Sequence, residues 1–503
     1  MNANGTTERA TRTEHDLLGT REVPADAYWG IHTLRAFENF GISGQSLATH
    51  PDLVSALALV KQAAAATNGQ LRLLERRRAA AITEACEEIR SGSLHEAFVV
   101  DVIQGGAGTS TNMNVNEVVA NRALEKLGHA KGEYEHVHPL EHVNLGQSTN
   151  DVYPTAVRLA VHAATERLVC AVDALYRAFQ AKAQEFDHTV KIGRTQLQEA
   201  VPMTLGQEFG AYADTLAAEI DRLRDAQKLL RRINLGATAI GTSINTHPRY
   251  VQLVAEELSG LAGLSLVTAP NLIEATQDAS AFVHVSGALR GLAVKLSKIA
   301  NDLRLLSSGP VSGFAELRLP AVQAGSSIMP GKVNPVIPET VNQVAFETIG
   351  HDITVTMAAE AGQLQLNAFE PIIAHCLLTS ARHLTASCTV FAERCVSGIA
   401  ANTDQLRATV RGSIGLATAL TPVIGYHAAS QVAKLALETG VSVAELVRSQ
   451  GLIDEERLST LLKPESLTGS VEGLAVNSTV VAPGLGWPSR YTPTSALLPQ
   501  RQS

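Results

Sequence analysis

Three stretches of the chain carry the same apolar stripe. Val157, Val161, Ala164, Leu168, Val172, Leu175 and Phe179 follow one another at intervals of four and three, the spacing that lines one face of an α-helix. Leu205, Phe209, Tyr212, Leu216, Ile220 and Leu223 repeat the pattern, and it returns from Phe282 through Val285, Leu289, Leu292, Leu296, Ile299 and Leu303 to Leu306. A sustained mean near 3.5 predicts left-handed packing at shallow crossing angles, hence a long central bundle. A weaker stripe (Ile373, Leu377, Leu384, Cys388, Phe391, Cys395, Ile399) predicts a further helix in 370–400. Shorter helices are predicted over 52–74, 76–90, 114–127, 427–437 and 441–449. Helices this long offer more apolar stripe than one chain covers, which points to association between chains.

The pattern sets the fold class as all-α, mainly helical, in three domains: an N-terminal helical domain (1–147), the long-helix bundle (148–402) and a small C-terminal helical domain with a tail (403–503). Residues 1–13 read as a disordered leader, and the text from Glu14 to Phe40 is dense in turn residues. From Pro464 onward Gly, Ser, Thr and Pro dominate, so a mobile tail is expected. Aromatic residues make up only 4% of the chain, which favours close-packed helices over strands. A formal net charge of −8 leaves no basic footprint for nucleic acid or an anionic membrane. The five cysteines are odd in number and never spaced C-x-x-C, as expected of reduced thiols in the cytoplasm. With neither a signal-like apolar core near the start nor a long apolar run, the protein is expected to stay where it is made.

Candidate chemistry sits in polar turns beside the helices. Gln104-Gly105-Gly106-Ala107-Gly108-Thr109 feeds a helix start, where free N–H groups favour an anion. It lacks a phosphate-loop lysine and the G-x-G-x-x-G spacing, which argues against a nucleotide. Gly146-Gln147-Ser148-Thr149-Asn150-Asp151 opens the first bundle helix, and a turn around Arg194-Thr195-Gln196 separates it from the second. After the third comes Gly325-Ser326-Ser327-Ile328-Met329-Pro330-Gly331-Lys332-Val333-Asn334-Pro335, where glycines and prolines shape a backbone that presents hydroxyls, one amine and one amide. From helix count, Thr195 and Ser326 are expected at opposite bundle ends. The sequence shows no metal-ligand set. His138-x-x-Glu141-His142 matches a zinc-peptidase pattern, but Pro139 and Gly146 break the helix it requires. A metallopeptidase is therefore the alternative from another class.

The Gly325–Pro335 string resembles the signature of the aspartase/fumarase superfamily, and the resemblance extends over nearly the whole chain. Thr149 in the second turn, Gln196 in the third, and His138-Pro139-Leu140-Glu141 in place of the fumarase H-P-N-D favour the aspartase branch; class II fumarate hydratase is the alternative within the superfamily. The resemblance implies elimination of ammonia from L-aspartate to give fumarate through an aci-carboxylate. It implies Ser326 as base, supported by Lys332, with Lys332 and Asn334 holding a substrate carboxylate. Thr109, Ser148 and Thr195 would grip the β-carboxylate, with Thr149, Asn150 and Gln196 around the amino and α-carboxylate groups. It further implies a homotetramer in which three clusters (Thr109; Ser148–Asn150 with Thr195–Gln196; Ser326–Asn334), distant in one subunit, meet across subunits. No organic cofactor is required, and a divalent cation such as Mg2+ is expected at most as an activator. Glu339, in the first turn of the helix after Pro335, is accounted for as well by the helix dipole as by a role in the site.

Overall fold

The computed structural model describes residues 10–469. The leader before Ala10 and the tail after Gly469 lie outside the described residues. The chain divides into two compact units: a larger one that runs to Thr189 and from Leu205 to Gln405, and a smaller one of Val190–Thr204 with the segment from Leu406 onward. The expected boundary at 147/148 falls inside the larger unit, and the one at 402/403 lies three residues before the division at Gln405/Leu406.

In the larger unit the turn-dense start is a β-hairpin, β1 (Thr11–Asp16) paired antiparallel with β2 (Gly19–Pro24). Order therefore begins earlier than the expected leader, which reached residue 13. Its strands are polar on both faces, so alternation gives no signal; the Arg12 guanidinium holds it instead, donating to the carbonyls of Pro24, Ala27 and Trp29. Eleven helices follow: α1 (Ile31–Asn39), α2 (Pro51–Gln70), α3 (Arg76–Arg90), α4 (Thr109–Leu127), α5 (Thr149–Glu185), α6 (Leu205–Leu229), α7 (Tyr250–Ala262), α8 (Leu272–Gln277), α9 (Ser280–Leu306), α10 (Val336–Glu360) and α11 (Glu370–Arg394).

All residues of the three predicted stripes are buried, as are those of the weaker fourth. Helix α5 packs on α2, α6 and α11, α9 on α6 and α10, and α10 on α11. Phe179 of α5 lies 5.8 Å from Phe209 of α6 and 6.0 Å from Phe391 of α11, ring centre to ring centre. Each such pair adds about 0.5–1.5 kcal/mol beyond the area buried. Phe346, Ile353 and Met357 form an exposed apolar stripe on α10.

Side-chain bonds fix the helix directions. Gln227 Nε2 donates to the His162 carbonyl (3.0 Å), joining the end of α6 to the first half of α5. Tyr212 donates to Asp302 (2.9 Å), joining the start of α6 to the end of α9. The end of α5 and the start of α6 thus lie at the same end of the bundle as the end of α9, so the chain departs toward Thr195 and toward Ser326 from one end, not from opposite ends. The intervening α7 and α8 return the chain, so α9 runs parallel to α5.

The smaller unit corrects the expected turn at Thr195. It is a hairpin, β3 (Val190–Thr195) against β4 (Gln198–Thr204). Ile192 packs with Leu416, Leu420, Val432, Val447 and Leu458, contributed by α13 (Gly415–Ile424), α14 (Tyr426–Thr439), α15 (Val443–Ser449) and α16 (Glu455–Leu461); α12 (Thr403–Gly412) leads into them. A single helical turn at Pro464–Leu467 extends into the expected tail. No helix among the described residues is long and apolar enough to cross a membrane.

Candidate active site

The Gly-rich turn is shaped by a close approach. Gly108 has φ +89°, and a Cβ there would stand 2.6 Å from the Tyr153 ring of α5. Glycine therefore lets the start of α4 lie against the start of α5. Thr109 begins α4 at the surface, its hydroxyl donating to the Gly106 carbonyl (2.7 Å).

Ser148 caps α5: its Oγ accepts from the Asn150 N–H, and the Asp151 carboxylate takes the Ser148 N–H (3.0 Å). Asp151 also accepts from the N–H groups of Gly236 (3.1 Å) and Thr238 (2.8 Å), so one buried carboxylate fastens two segments. Pro154 has no N–H to offer the Asn150 carbonyl one turn back. Asn234 Nδ2 donates there instead (3.0 Å), and Asn150 Nδ2 donates to the Ala239 carbonyl (2.7 Å). Asn112 Nδ2 donates to Thr149 Oγ1 (3.1 Å), so the Thr109 and Ser148–Asn150 turns share one network within one chain.

Beneath the turn lies Lys61, fully buried, with its ammonium donating to Asn144 Oδ1 (2.8 Å) and Gln147 Oε1 (3.0 Å). Burial pulls its pKa down to about 7, against the attraction of Asp151. The same burial pushes the Asp151 carboxyl up to about 6, opposed by its N–H donors and Lys61. The sequence reading missed Lys61, Asn112, Asn144 and Asp151. Two signals were available: a lone lysine in the alanine-rich α2, and an acid three residues after Ser148, the capping-box spacing.

Thr195 and Gln196 stand exposed at the hairpin tip of the smaller unit. Gln196 (φ 53°) and Leu197 (φ 64°) make a tight two-residue turn of a kind that favours Asn-Gly. Non-glycine residues there store of order 1 kcal/mol each.

The signature loop is pinched at its base. Gly325 N–H donates to the Lys332 carbonyl (2.9 Å), and Asn334 Nδ2 to the Gly325 carbonyl (2.6 Å). A Cβ on Gly325 would lie 2.6 Å from that Lys332 oxygen. One amide hydrogen of Asn334 thus braces the loop, leaving the other for a ligand. Ser326 Oγ accepts from the N–H groups of Ile328 (3.2 Å) and Met329 (2.9 Å). Lys332 is exposed, as is Ile328 (83%), and Glu339 is half-buried in the first turn of α10.

His138 and His142 serve their own backbone. His138 Nδ1 caps the single π-helical turn Pro139–Val143, and His142 Nδ1 accepts from the His138 N–H (2.7 Å). That turn is not a zinc-peptidase helix.

Residues 19–350 match the family described as Lyase, and residues 416–469 match the fumarase C C-terminus. The chain belongs to the aspartase/fumarase superfamily of lyases. It is 57% identical to an aspartate ammonia-lyase from Pseudomonas fluorescens, over 91% of this chain and 96% of that one. A crystal structure of a fumarate lyase:delta crystallin from Brucella melitensis bound to cobalt superposes with a TM-score of 0.88 at 57% identity, covering 90% of this chain and 99% of that one. A class II fumarase from Schistosoma mansoni gives 0.86 at 34% identity, covering 90% and 98%. The superfamily signature coincides with the loop that holds Ser326 between two N–H donors.

Proposed function

We propose that the protein is an aspartate ammonia-lyase, a carbon–nitrogen lyase interconverting L-aspartate with fumarate and ammonia. The observation that carries the chemistry is the pair of N–H donors on Ser326 Oγ. A hydroxyl receiving two N–H bonds is set up to become an alkoxide, because those dipoles meet its charge. In this reading the Ser326 alkoxide takes the proton from the carbon beside the β-carboxylate. The electron pair moves into that carboxylate as an aci-carboxylate, then forms the double bond as the amine leaves anti to the proton. Lys332 attracts both the alkoxide and a substrate carboxylate. Thr109, Ser148 and Thr195 meet the charge growing on the β-carboxylate; Thr149, Asn150, Gln196 and Asn334 orient the rest. No organic cofactor enters these steps, and Mg2+ is proposed only as an activator.

The assembly we propose is a homotetramer with shared sites. Helix α5 has 37 residues, which puts its ends about 54 Å apart. Thr195 follows the end of α5 by about ten residues, a reach of at most ~35 Å. Thr195 therefore cannot fold back to Thr149 of its own chain, and a complete site needs a neighbour. The exposed Phe346–Met357 stripe is a surface for such packing. Free, mostly buried cysteines support a cytoplasmic protein. The deciding assay follows fumarate from L-aspartate and from L-malate side by side. Faster dehydration of L-malate would replace this reading with fumarate hydratase.

A further inference from the structure

We propose that His129, Glu133 and His136 form a binding site for one divalent transition-metal ion of the zinc type, remote in chemistry from the elimination. One nitrogen of each imidazole and one carboxylate oxygen lie within 4.8 Å of one another, all three side chains half-buried. His129 Nδ1 is 3.2 Å from Glu133 Oε2, and the two imidazole rings stack 3.6 Å apart at 16°. Ligands on a tetrahedral zinc, each about 2.1 Å from it, stand roughly 3.4 Å apart, within reach of the present spacing; because imidazole binds a metal in its ring plane, one ring turns out of the stack to let both face one ion. Glu133 meets His129 closely, whereas His136 has only Glu135 at 4.0 Å; a shared ion would engage both imidazoles.

The loop that carries them is held in place before any ion arrives. Gly128 and His129 close the end of α4 through N–H bonds to Glu125 and Leu124 (3.0 and 2.9 Å). The Gly132 N–H donates to buried Asn121 (2.9 Å), Tyr134 donates to Glu14 (3.1 Å), and Arg78 donates to the His136 carbonyl (2.6 Å). Lys131, in the same loop, is paired with Glu125 (3.1 Å), so its charge is met elsewhere. Glu135 stands 4.0 Å from His136 Nε2 and adds negative potential. Two imidazoles with one carboxylate suit zinc and similar ions and suit Mg2+ poorly, since Mg2+ prefers oxygen ligands. This site is thus distinct from the proposed Mg2+ activation, and it does not depend on the lyase reading.

The sequence reading weighed only the helical pattern of His138 and His142 and did not consider His129, Glu133 and His136 together. Here a helix end and the following turns bring together residues spaced four and three apart. The test uses untagged full-length protein freed of metal by a chelator and titrated by calorimetry with zinc chloride, then with magnesium chloride. One zinc per chain should bind, with no comparable Mg2+ binding. His129→Ala/His136→Ala and the milder Glu133→Gln should each weaken zinc binding at least about tenfold, while metal-free turnover of L-aspartate stays at the wild-type value. Zinc should raise the melting temperature of the wild type and not of the double variant. Zinc binding equal in wild type and double variant, or no stronger than Mg2+ binding in the wild type, overturns the proposal.

Discussion

The Ser148–Asn150 turn and the Ser326–Asn334 loop carry similar polar residues and are held in opposite ways. The first rests on a buried lattice: Asp151 fastens three N–H groups, Asn234 replaces the bond that Pro154 lacks, and Lys61 fills the space below. The second is bonded mainly to itself, through Gly325, Asn334 and Ser326, with apolar Ile328 exposed. The difference matches the chemistry proposed for each. Donors that bind a developing dianion gain most from being fixed before the reaction. A base that must reach the substrate gains from a segment that can close over it.

The largest effect should come from the loop, with the least structural cost. Ser326→Ala removes the proposed base and should lower kcat by about two to four orders of magnitude. Its melting temperature should stay at the wild-type value, because a half-buried loop serine contributes little packing. Turnover within a factor of a few of wild type would move the base elsewhere, with Glu339 next in line.

The second test separates the regions by chain. Thr149→Ala and Thr195→Ala are each expected to be inactive, and each pure variant to remain so after dissociation and reassembly. Mixed before reassembly, they should recover up to about a quarter of wild-type activity, the fraction of sites that draw both intact residues from different chains in a closed oligomer. Hybrids confirmed by mass that stay as inactive as their parents would sink the shared-site arrangement.

The two regions also differ in how much of them the sequence reveals. The signature loop was legible because its residues are contiguous and its bonds are local. The bundle helices were legible because their stripes persist over six or more apolar positions. Lys61, Asn144 and Asp151 escaped because their partners lie on segments roughly 80 residues away, and pattern carries no pairing information over that span. Hairpins β1–β2 and β3–β4 escaped for another reason: β1 buries only Glu14 and β2 only Val23, while β3 buries the adjacent Lys191 and Ile192, so neither hairpin shows an apolar alternation to read. The misplaced bundle ends came from a helix count that did not resolve the return through α7 and α8.

Substitutions in the buried lattice should cost stability first and activity as a consequence. Gly108→Ala places a methyl 2.6 Å from the Tyr153 ring, an overlap expected to cost about 1–3 kcal/mol on top of the backbone strain. Lys61→Met leaves Gln147 Oε1 without its donor, about 1–3 kcal/mol by denaturant unfolding. That deficit should depend on pH. The folded amine loses its proton near pH 7, while the unfolded one keeps it to about 10.5. Between these limits the unfolded chain binds more protons, so wild-type stability rises with pH and the Lys61→Met deficit widens between about pH 7 and 9. A deficit that stays flat over this range would mean that Lys61 remains charged when folded.

The smallest effect isolates surroundings from backbone strain. Gly331 has φ +79°, close to the +89° of Gly108, yet an added Cβ would meet nothing within 4 Å. Gly331→Ala should therefore cost only the left-handed backbone penalty, about 1–2 kcal/mol, and less if the open loop relaxes. The same substitution at Gly108 carries that penalty plus the overlap with Tyr153. Measured together by denaturant unfolding, the two variants should differ by about the overlap cost, with Gly108→Ala the less stable. Equal losses would mean that the start of α4 yields as easily as the signature loop, and the contrast between a fixed binding turn and a movable base loop would fail.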